Sequence, residues 1–103
     1  AICYPGKLIW ALSKYQYGSD EPLTVRRNIT AEMQRQDAKW GADRNQDPFI
    51  WGAILGEEVG EFHQAVLHDR FGGIAAGTSR EEAVQIAAVA LQIIEYYDRV
   101  IDW

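Results

Sequence analysis

The chain has 103 residues, of which 48% are hydrophobic, and a formal net charge of −5. This length gives room for one domain covering residues 1–103, and the apolar content excludes a disordered chain. Nonspecific binding to nucleic acid depends on clustered cations, and no Lys/Arg run here is longer than Arg26-Arg27. We therefore expect no nucleic-acid partner.

Cysteine content and hydropathy predict the compartment. The only cysteine, Cys3, cannot form an internal disulfide, and the sequence shows no secretory leader pattern. No stretch approaches the roughly 18 apolar residues that cross a bilayer. We expect a cytoplasmic protein that has no membrane partner.

The first predicted helix follows an irregular segment. Residues 1–20 mix glycine and proline with aromatic residues and show no sustained period, so we expect an irregular arm or a short extra element there. A helical period begins at about Leu23. Its stripe consists of Val25, Ile29, Met33 and Trp40. Gly41 follows as the expected C-terminal stop.

Helix signals also mark two further segments. Asp47-Pro48 supplies an N-cap and a proline at the first helical position, which predicts a second helix from Pro48 to about Leu67. A glycine-bearing connection over residues 68–78 is predicted as a loop. Ser79 and Glu82 have the spacing of a capping box, so a third helix is expected from Ser79 toward Tyr97 or beyond.

The third helix is apolar on nearly every side between residues 83 and 94. A helix of this kind must be covered on all sides, which two other helices of one chain cannot do. We therefore predict an all-α fold, a bundle of three main helices per subunit that associates into a homodimer or homotetramer. No strand-like alternation is long enough to indicate a sheet.

Acidic side chains fall on the faces that should be buried. At about 100° per residue, Glu58 and Glu61 lie within the apolar arc of the second helix, and Glu57 lies at its edge. That arc also contains Ile50, Trp51, Ile54, Phe62 and Ala65. On the third helix, Glu82 heads a stripe of Ile86, Val89, Ile93, Tyr97 and Val100. If the two helices run antiparallel, Glu61 and Glu82 are nearly level.

Buried carboxylates need a compensating charge, because each costs several kcal/mol when unpaired. Mg²⁺ or Mn²⁺ fits best, since hard divalent cations prefer oxygen ligands and two carboxylates three residues apart present adjacent oxygens. Three alternatives remain open. Glu82 can be the N3 member of the capping box, Glu57 can be solvated, and the acids can pair with arginines across an interface. The candidate arginines are Arg26, Arg27 and Arg70.

Residues 57–61, with the sequence EEVGE, are followed after a loop by residues 82–85, with the sequence EAVQ. This pair resembles the E-x-x-E and E-x-x-D metal-binding signature of the MazG-like branch of the all-α NTP pyrophosphatase superfamily. The neighbouring segments 35–41 and 85–91 look like those of small phage-type and mobile-element members. The resemblance covers roughly residues 29–97.

The resemblance implies a dimeric or tetrameric helical hydrolase with a Mg²⁺ site at Glu58, Glu61 and Glu82. It implies cleavage of an NTP or dNTP between the α- and β-phosphates to the monophosphate and pyrophosphate. Glu57 would be the general base. Gln85 stands where the family usually has aspartate, so it would be a fourth, uncharged metal ligand, and a second metal ion would bind more weakly.

Residues near the end of the first helix are candidates for substrate binding. Arg35, Lys39 and Arg44 could meet phosphates, although such side chains are often only solvated. Trp40 and Trp51 could stack on a base, although aromatics at helical spacing are often core residues. His63 and His68 lack a partnered i,i+4 motif, so no zinc site is expected. The competing hypothesis is a non-catalytic oligomeric module that binds nucleotide or a protein partner.

Overall fold

The protein is described by a computed structural model covering residues 20–100, with side chains from Thr24 onward. Three helices form within this range: α1 (Asp20–Trp40), α2 (Pro48–Phe71) and α3 (Ser79–Val100). These residues contain no strand, which confirms the all-α prediction. The arm predicted at residues 1–20 lies outside the described residues, except for Asp20 at the start of α1.

Among residues 20–100, no helix is both long enough and apolar enough to cross a bilayer.

Helix α1 ends where the sequence predicts. Gly41 has a φ of 95°, and its N–H donates to the carbonyl of Asp37 at 2.8 Å. A positive φ at this position strongly favours glycine, which explains the stop after Trp40. Within the predicted stripe, Ile29 and Met33 are half-buried, whereas Val25 and Trp40 near the two ends are exposed.

Helix α2 begins as predicted but is about one turn longer. The Asp47 side chain accepts a hydrogen bond from the N–H of Phe49 at 2.8 Å, which confirms the N-cap. The helix continues past Leu67 to Phe71, so the prediction that residues 68–71 form a loop was wrong. None of these four residues breaks a helix; Gly72, with a φ of 92°, is the first that does.

The connection between α2 and α3 is organised by the last turn of α2. The N–H of Ala75 donates to His68 Nδ1 at 3.0 Å, and the N–H of Gly77 donates to Asp69 Oδ1 at 2.6 Å. The N–H of Glu82 donates to the Thr78 carbonyl at 3.0 Å, which places Thr78 at the N-cap of α3. The capping box predicted from Ser79 is therefore wrong, and the Glu82 side chain is available for another role.

Helix α3 packs against both α1 and α2, whereas α1 and α2 make few contacts with each other. The hydrophobic core of the described residues is small and consists of Trp51, Ala65, Ala88 and Val89. Two polar side chains, Gln36 and Gln92, are also buried. A groove lies between the two outer helices, with Val89 of α3 among the residues that line it.

Two arginines hold the connection between α1 and α2 against the rest of the fold. Arg44 donates to the Gly41 carbonyl at 2.8 Å and to Gln92 Oε1 at 3.4 Å, and its guanidinium lies 5.5 Å from the centre of the Trp51 ring. Arg99 of α3 donates to the Arg44 carbonyl at 3.1 Å. These bonds fix one end of the groove.

Two residues predicted on inner stripes are exposed instead. Ile50, in the first turn of α2, is 50% exposed, and Val100, the last residue of α3, is 45% exposed. Large hydrophobic side chains elsewhere on the surface of residues 24–100 are Phe49, Val66, Leu67, Phe71, Ile74, Leu91 and Ile94.

Candidate functional site

Three acidic side chains meet where α2 packs on α3. Glu58 and Glu61 come from one face of α2, and Glu82 comes from the first turn of α3. One carboxylate oxygen of each residue lies within 4.8 Å of the other two, and all three residues are half-buried. We call these three residues the acid cluster. The structure thus brings together the three acids that helical geometry turned inward.

Crowding and burial perturb the ionisation of the cluster. Burial, followed by the negative charges of Glu61 and Glu82, raises the pKa of Glu58 to about 7. Burial also raises the pKa of Glu82, with a further contribution from its hydrogen bond with Glu61. At neutral pH, full ionisation of all three carboxyl groups is therefore unfavourable in this environment.

Within residues 27–100, no salt bridge joins a basic side chain to the acid cluster. The ion pairs in this range join Arg35 to Glu32, Arg44 to Asp37 and Arg99 to Asp43. None of them includes an acid of the cluster. Salt bridges to Arg27 or Arg70 of the same chain are therefore not how the described structure compensates these charges, and pairing across an interface stays a prediction.

Gln85 lies one turn after Glu82 and joins the cluster. One terminal atom of its carboxamide is 2.7 Å from Glu58 Oε2 and 3.1 Å from Glu82 Oε2. When the amide nitrogen occupies this position it donates to both carboxylates. Rotating the amide by about 180° places its oxygen there instead and adds a fourth oxygen ligand to the cluster.

A cleft of about 640 Å³ adjoins the acid cluster between α1 and α2. Its walls include Arg35, Lys39 and Trp40 from α1 and Glu57 and Glu58 from α2. Arg35, Lys39 and Trp40, three of the residues predicted to bind substrate, therefore line the same cleft as the predicted base Glu57. Glu58 belongs both to this cleft and to the acid cluster, so the two are continuous.

The two candidate stacking tryptophans differ in exposure. Trp40 is 64% exposed, and Lys39 Nζ lies 4.9 Å from the centre of its ring. Trp51 is 2% exposed and packs against Tyr96 with 6.3 Å between ring centres. Of the two, only Trp40 offers a ring face to a ligand, so the core interpretation holds for Trp51 and not for Trp40.

Arg44 is also less available than the sequence suggested. Its side chain is only 16% exposed, and its donors are directed to main-chain carbonyls and Gln92. It lines the cleft but acts mainly to anchor the connection between α1 and α2. Arg35 and Lys39 remain the cationic candidates for phosphate binding.

The chain matches no family model, no curated protein and no solved structure. The resemblance to MazG-like pyrophosphatases is carried by the EEVGE and EAVQ segments of the sequence. In the structure, Glu58, Glu61, Glu82 and Gln85 of those segments lie close together.

Sequence reasoning missed Glu32 of α1. Its side chain is 12% exposed and accepts hydrogen bonds from Arg35 and Gln36. Its negative charge also contributes to the raised pKa of Glu58 and Glu82, although it is not a member of the cluster. The same test that found Glu58 would have found it, because Glu32 lies about 60° from Ile29 on a helical wheel.

Proposed function

We propose that this protein is a Mg²⁺-dependent nucleoside triphosphate pyrophosphohydrolase. It would cleave an NTP or dNTP between the α- and β-phosphates to the monophosphate and pyrophosphate. The observation that carries the proposal is the continuity of the acid cluster with a cleft that offers cations and an exposed tryptophan. Nucleoside triphosphates have a polyanionic phosphate chain and an aromatic base. This site offers cations for the phosphates and an exposed tryptophan for the base.

The oxygen atoms that the acid cluster and Gln85 offer as ligands fit Mg²⁺, with Mn²⁺ as the nearest substitute. All are hard oxygens: the carboxylates of Glu58, Glu61 and Glu82, and the carboxamide of Gln85 in one of its orientations. A divalent cation would relieve the repulsion that raises the pKa of Glu58 and Glu82. When bound, it would supply charge neutralisation of the triphosphate and a lowered pKa for a coordinated water.

The chain's own side chains would bind and orient the substrate. Arg35 and Lys39 would donate to phosphate oxygens, and the exposed Trp40 ring would stack on the base. Glu57 is exposed on the cleft wall next to Glu58, where its carboxylate would take a proton from the attacking water. The bond between that water's oxygen and phosphorus would form as the anhydride bond breaks and pyrophosphate leaves.

The test is a pyrophosphate-release assay with a panel of canonical and damaged NTPs and dNTPs in the presence of Mg²⁺. We expect monophosphate and pyrophosphate in equal amounts from at least one substrate. If no substrate turns over while Mg²⁺ or a nucleotide still raises the melting temperature, the protein is a non-catalytic binding module. If neither ligand shifts the melting temperature, the acid cluster has only a structural role.

We also propose that the protein is a homodimer or homotetramer. Four buried hydrophobic residues form a small core for the described chain, while several large hydrophobic side chains of α2 and α3 face outward. Ile94 of α3 is 56% exposed. Pairing of such faces between copies would bury them without rearranging the subunit.

Sedimentation at micromolar concentration tests the assembly. The wild-type protein should sediment as a dimer or tetramer, and Ile94→Glu should shift it toward monomer because a charge would enter the apolar contact. Glu95→Gln, at the neighbouring exposed position, is the control and should leave the assembly unchanged. A wild-type protein that is a stable monomer would contradict the proposal.

A further inference from the structure

Arg35 is held by a fork of hydrogen bonds from within its own helix. Its Nε donates to Glu32 Oε1 at 2.8 Å and its Nη2 donates to Glu32 Oε2 at 2.6 Å. Gln36 Nε2 donates to the same Glu32 Oε2 at 2.8 Å, and Gln36 is itself buried. The Glu32 side chain is 12% exposed, whereas the Arg35 side chain is 55% exposed. Glu32 is therefore anchored in the fold, and the arginine head extends from it toward solvent.

The guanidinium keeps a second edge that can bind an anion. A planar guanidinium has five N–H donors, and Glu32 takes one from Nε and one from Nη2. The remaining donors, on Nη1 and the other side of Nη2, form a second two-pronged edge directed away from Glu32. Such an edge matches two oxygens of a phosphate. Arg35 can thus hold Glu32 and a phosphate group at the same time.

The position of this free edge connects it to the candidate site. Arg35 lines the 640 Å³ cleft beside Glu58, and it also lines a neighbouring cleft of about 430 Å³ that contains Gln85 and Arg80. The hydrogen bonds with Glu32 raise the pKa of Arg35, and the charge of Glu58 adds a smaller contribution in the same direction. An anion at the cluster would meet this arginine.

We propose that Glu32 is a positioning residue that fixes the Arg35 guanidinium so that its free edge binds the polyphosphate of the substrate. This inference rests on the proposed function. A long, exposed arginine loses side-chain freedom when it binds a ligand, and Glu32 removes part of that freedom before the ligand arrives. The alternative is an ordinary surface ion pair, which would affect helix stability alone.

A double-mutant cycle separates these two roles. The variants are Glu32→Gln, Arg35→Ala and the combination of both, and the probe is inorganic tripolyphosphate with saturating Mg²⁺, measured by calorimetry. Glu32→Gln should weaken binding about fivefold in the wild-type background, which is the size expected when one side chain loses its pre-orientation. In the Arg35→Ala background it should change binding by less than about twofold, because the residue through which it acts is gone.

Controls account for net charge and for folding. Glu81→Gln removes the same charge from the rim of the 430 Å³ cleft without touching Arg35, and it should not weaken binding. Glu32→Asp keeps the charge on a shorter side chain and should fold even if Glu32→Gln does not. It should also weaken binding in the wild-type background only. Melting temperatures of all variants show whether stability has changed.

Equal effects of Glu32→Gln in both backgrounds, or tighter binding when Glu32 is neutralised, would overturn the inference. Failure of the wild-type protein to bind tripolyphosphate would overturn it as well. Pyrophosphate release from nucleotides is measured separately. Coupled binding without turnover would remove the proposed function and leave the positioning role, whereas turnover with uncoupled variants would do the opposite.

Discussion

Glu58→Gln and Glu61→Gln are each expected to slow pyrophosphate release at least about 100-fold in the presence of Mg²⁺. Glutamine keeps the shape of each side chain and removes its charge. Substitution of a residue that contacts a metal ligand, but not the metal itself, costs about 10- to 100-fold in metal affinity or activity. Loss of a ligand should therefore cost no less. Release of pyrophosphate at saturating nucleotide is the measurement.

Glu95→Gln is the matched control for these variants. It makes the same change at an exposed residue of α3 that lines a different, small cavity beside Arg99. It should retain the wild-type rate. A Glu58→Gln or Glu61→Gln protein that turns over substrate at the rate of the control would show that the chemistry occurs elsewhere.

The same variants should lose the stabilisation that Mg²⁺ gives the wild-type protein. Because the pKa of Glu58 is raised to about 7, protons compete with the cation below that pH, and the Mg²⁺-induced rise in melting temperature should be larger at pH 8 than at pH 6. In metal-free protein, the raised pKa of Glu58 makes the folded state more stable at low pH than at high pH. The folded state binds the proton on Glu58 more tightly than the unfolded state does. The stabilisation that this proton gives is therefore present at low pH and is lost as pH rises through about 7.

Helical periodicity was sufficient to predict the acid cluster. Once α2 and α3 are known to be helices, a period of about 3.6 residues determines that Glu58 and Glu61 share a face with Trp51 and Ala65. The two core residues are buried and the two acids converge with Glu82, as this geometry requires. Glu32 obeys the same rule, but the stripe of α1 was assigned from its hydrophobic members alone.

Periodicity could not predict what happens at helix ends. Trp40 and Trp51 both have helical spacing, yet only Trp51 has neighbouring helices around it. Whether the last residue of a helix is covered depends on how far the adjacent helices extend, and this is set by their caps and connections. The extra turn of α2 is a different case, because none of residues 68–71 breaks a helix and Gly72, with a positive φ, is the first that does.

Gln85→Glu is expected to raise the affinity for Mg²⁺ about tenfold. Substitutions beside a bound metal change its affinity by about 10- to 100-fold, and this value is the lower end of that range. The substitution exchanges only the amide nitrogen for oxygen and adds a negative charge where the carboxamide already lies 2.7 Å from Glu58 Oε2. Titration calorimetry with Mg²⁺ measures the change. Gln64→Glu, the same exchange at an exposed position of α2, should leave the affinity unchanged.

The metal-free and Mg²⁺-bound melting temperatures of Gln85→Glu should move in opposite directions. Without metal, a fourth carboxylate adds repulsion to Glu58 and Glu82, and any N–H donation from the amide to these two residues is lost, so the protein should melt earlier than wild type. With Mg²⁺ the extra charge becomes a ligand and the protein should melt later. If both temperatures fall and the affinity does not rise, the wild-type amide serves as a hydrogen-bond donor to the carboxylates and Gln85 is not a metal ligand.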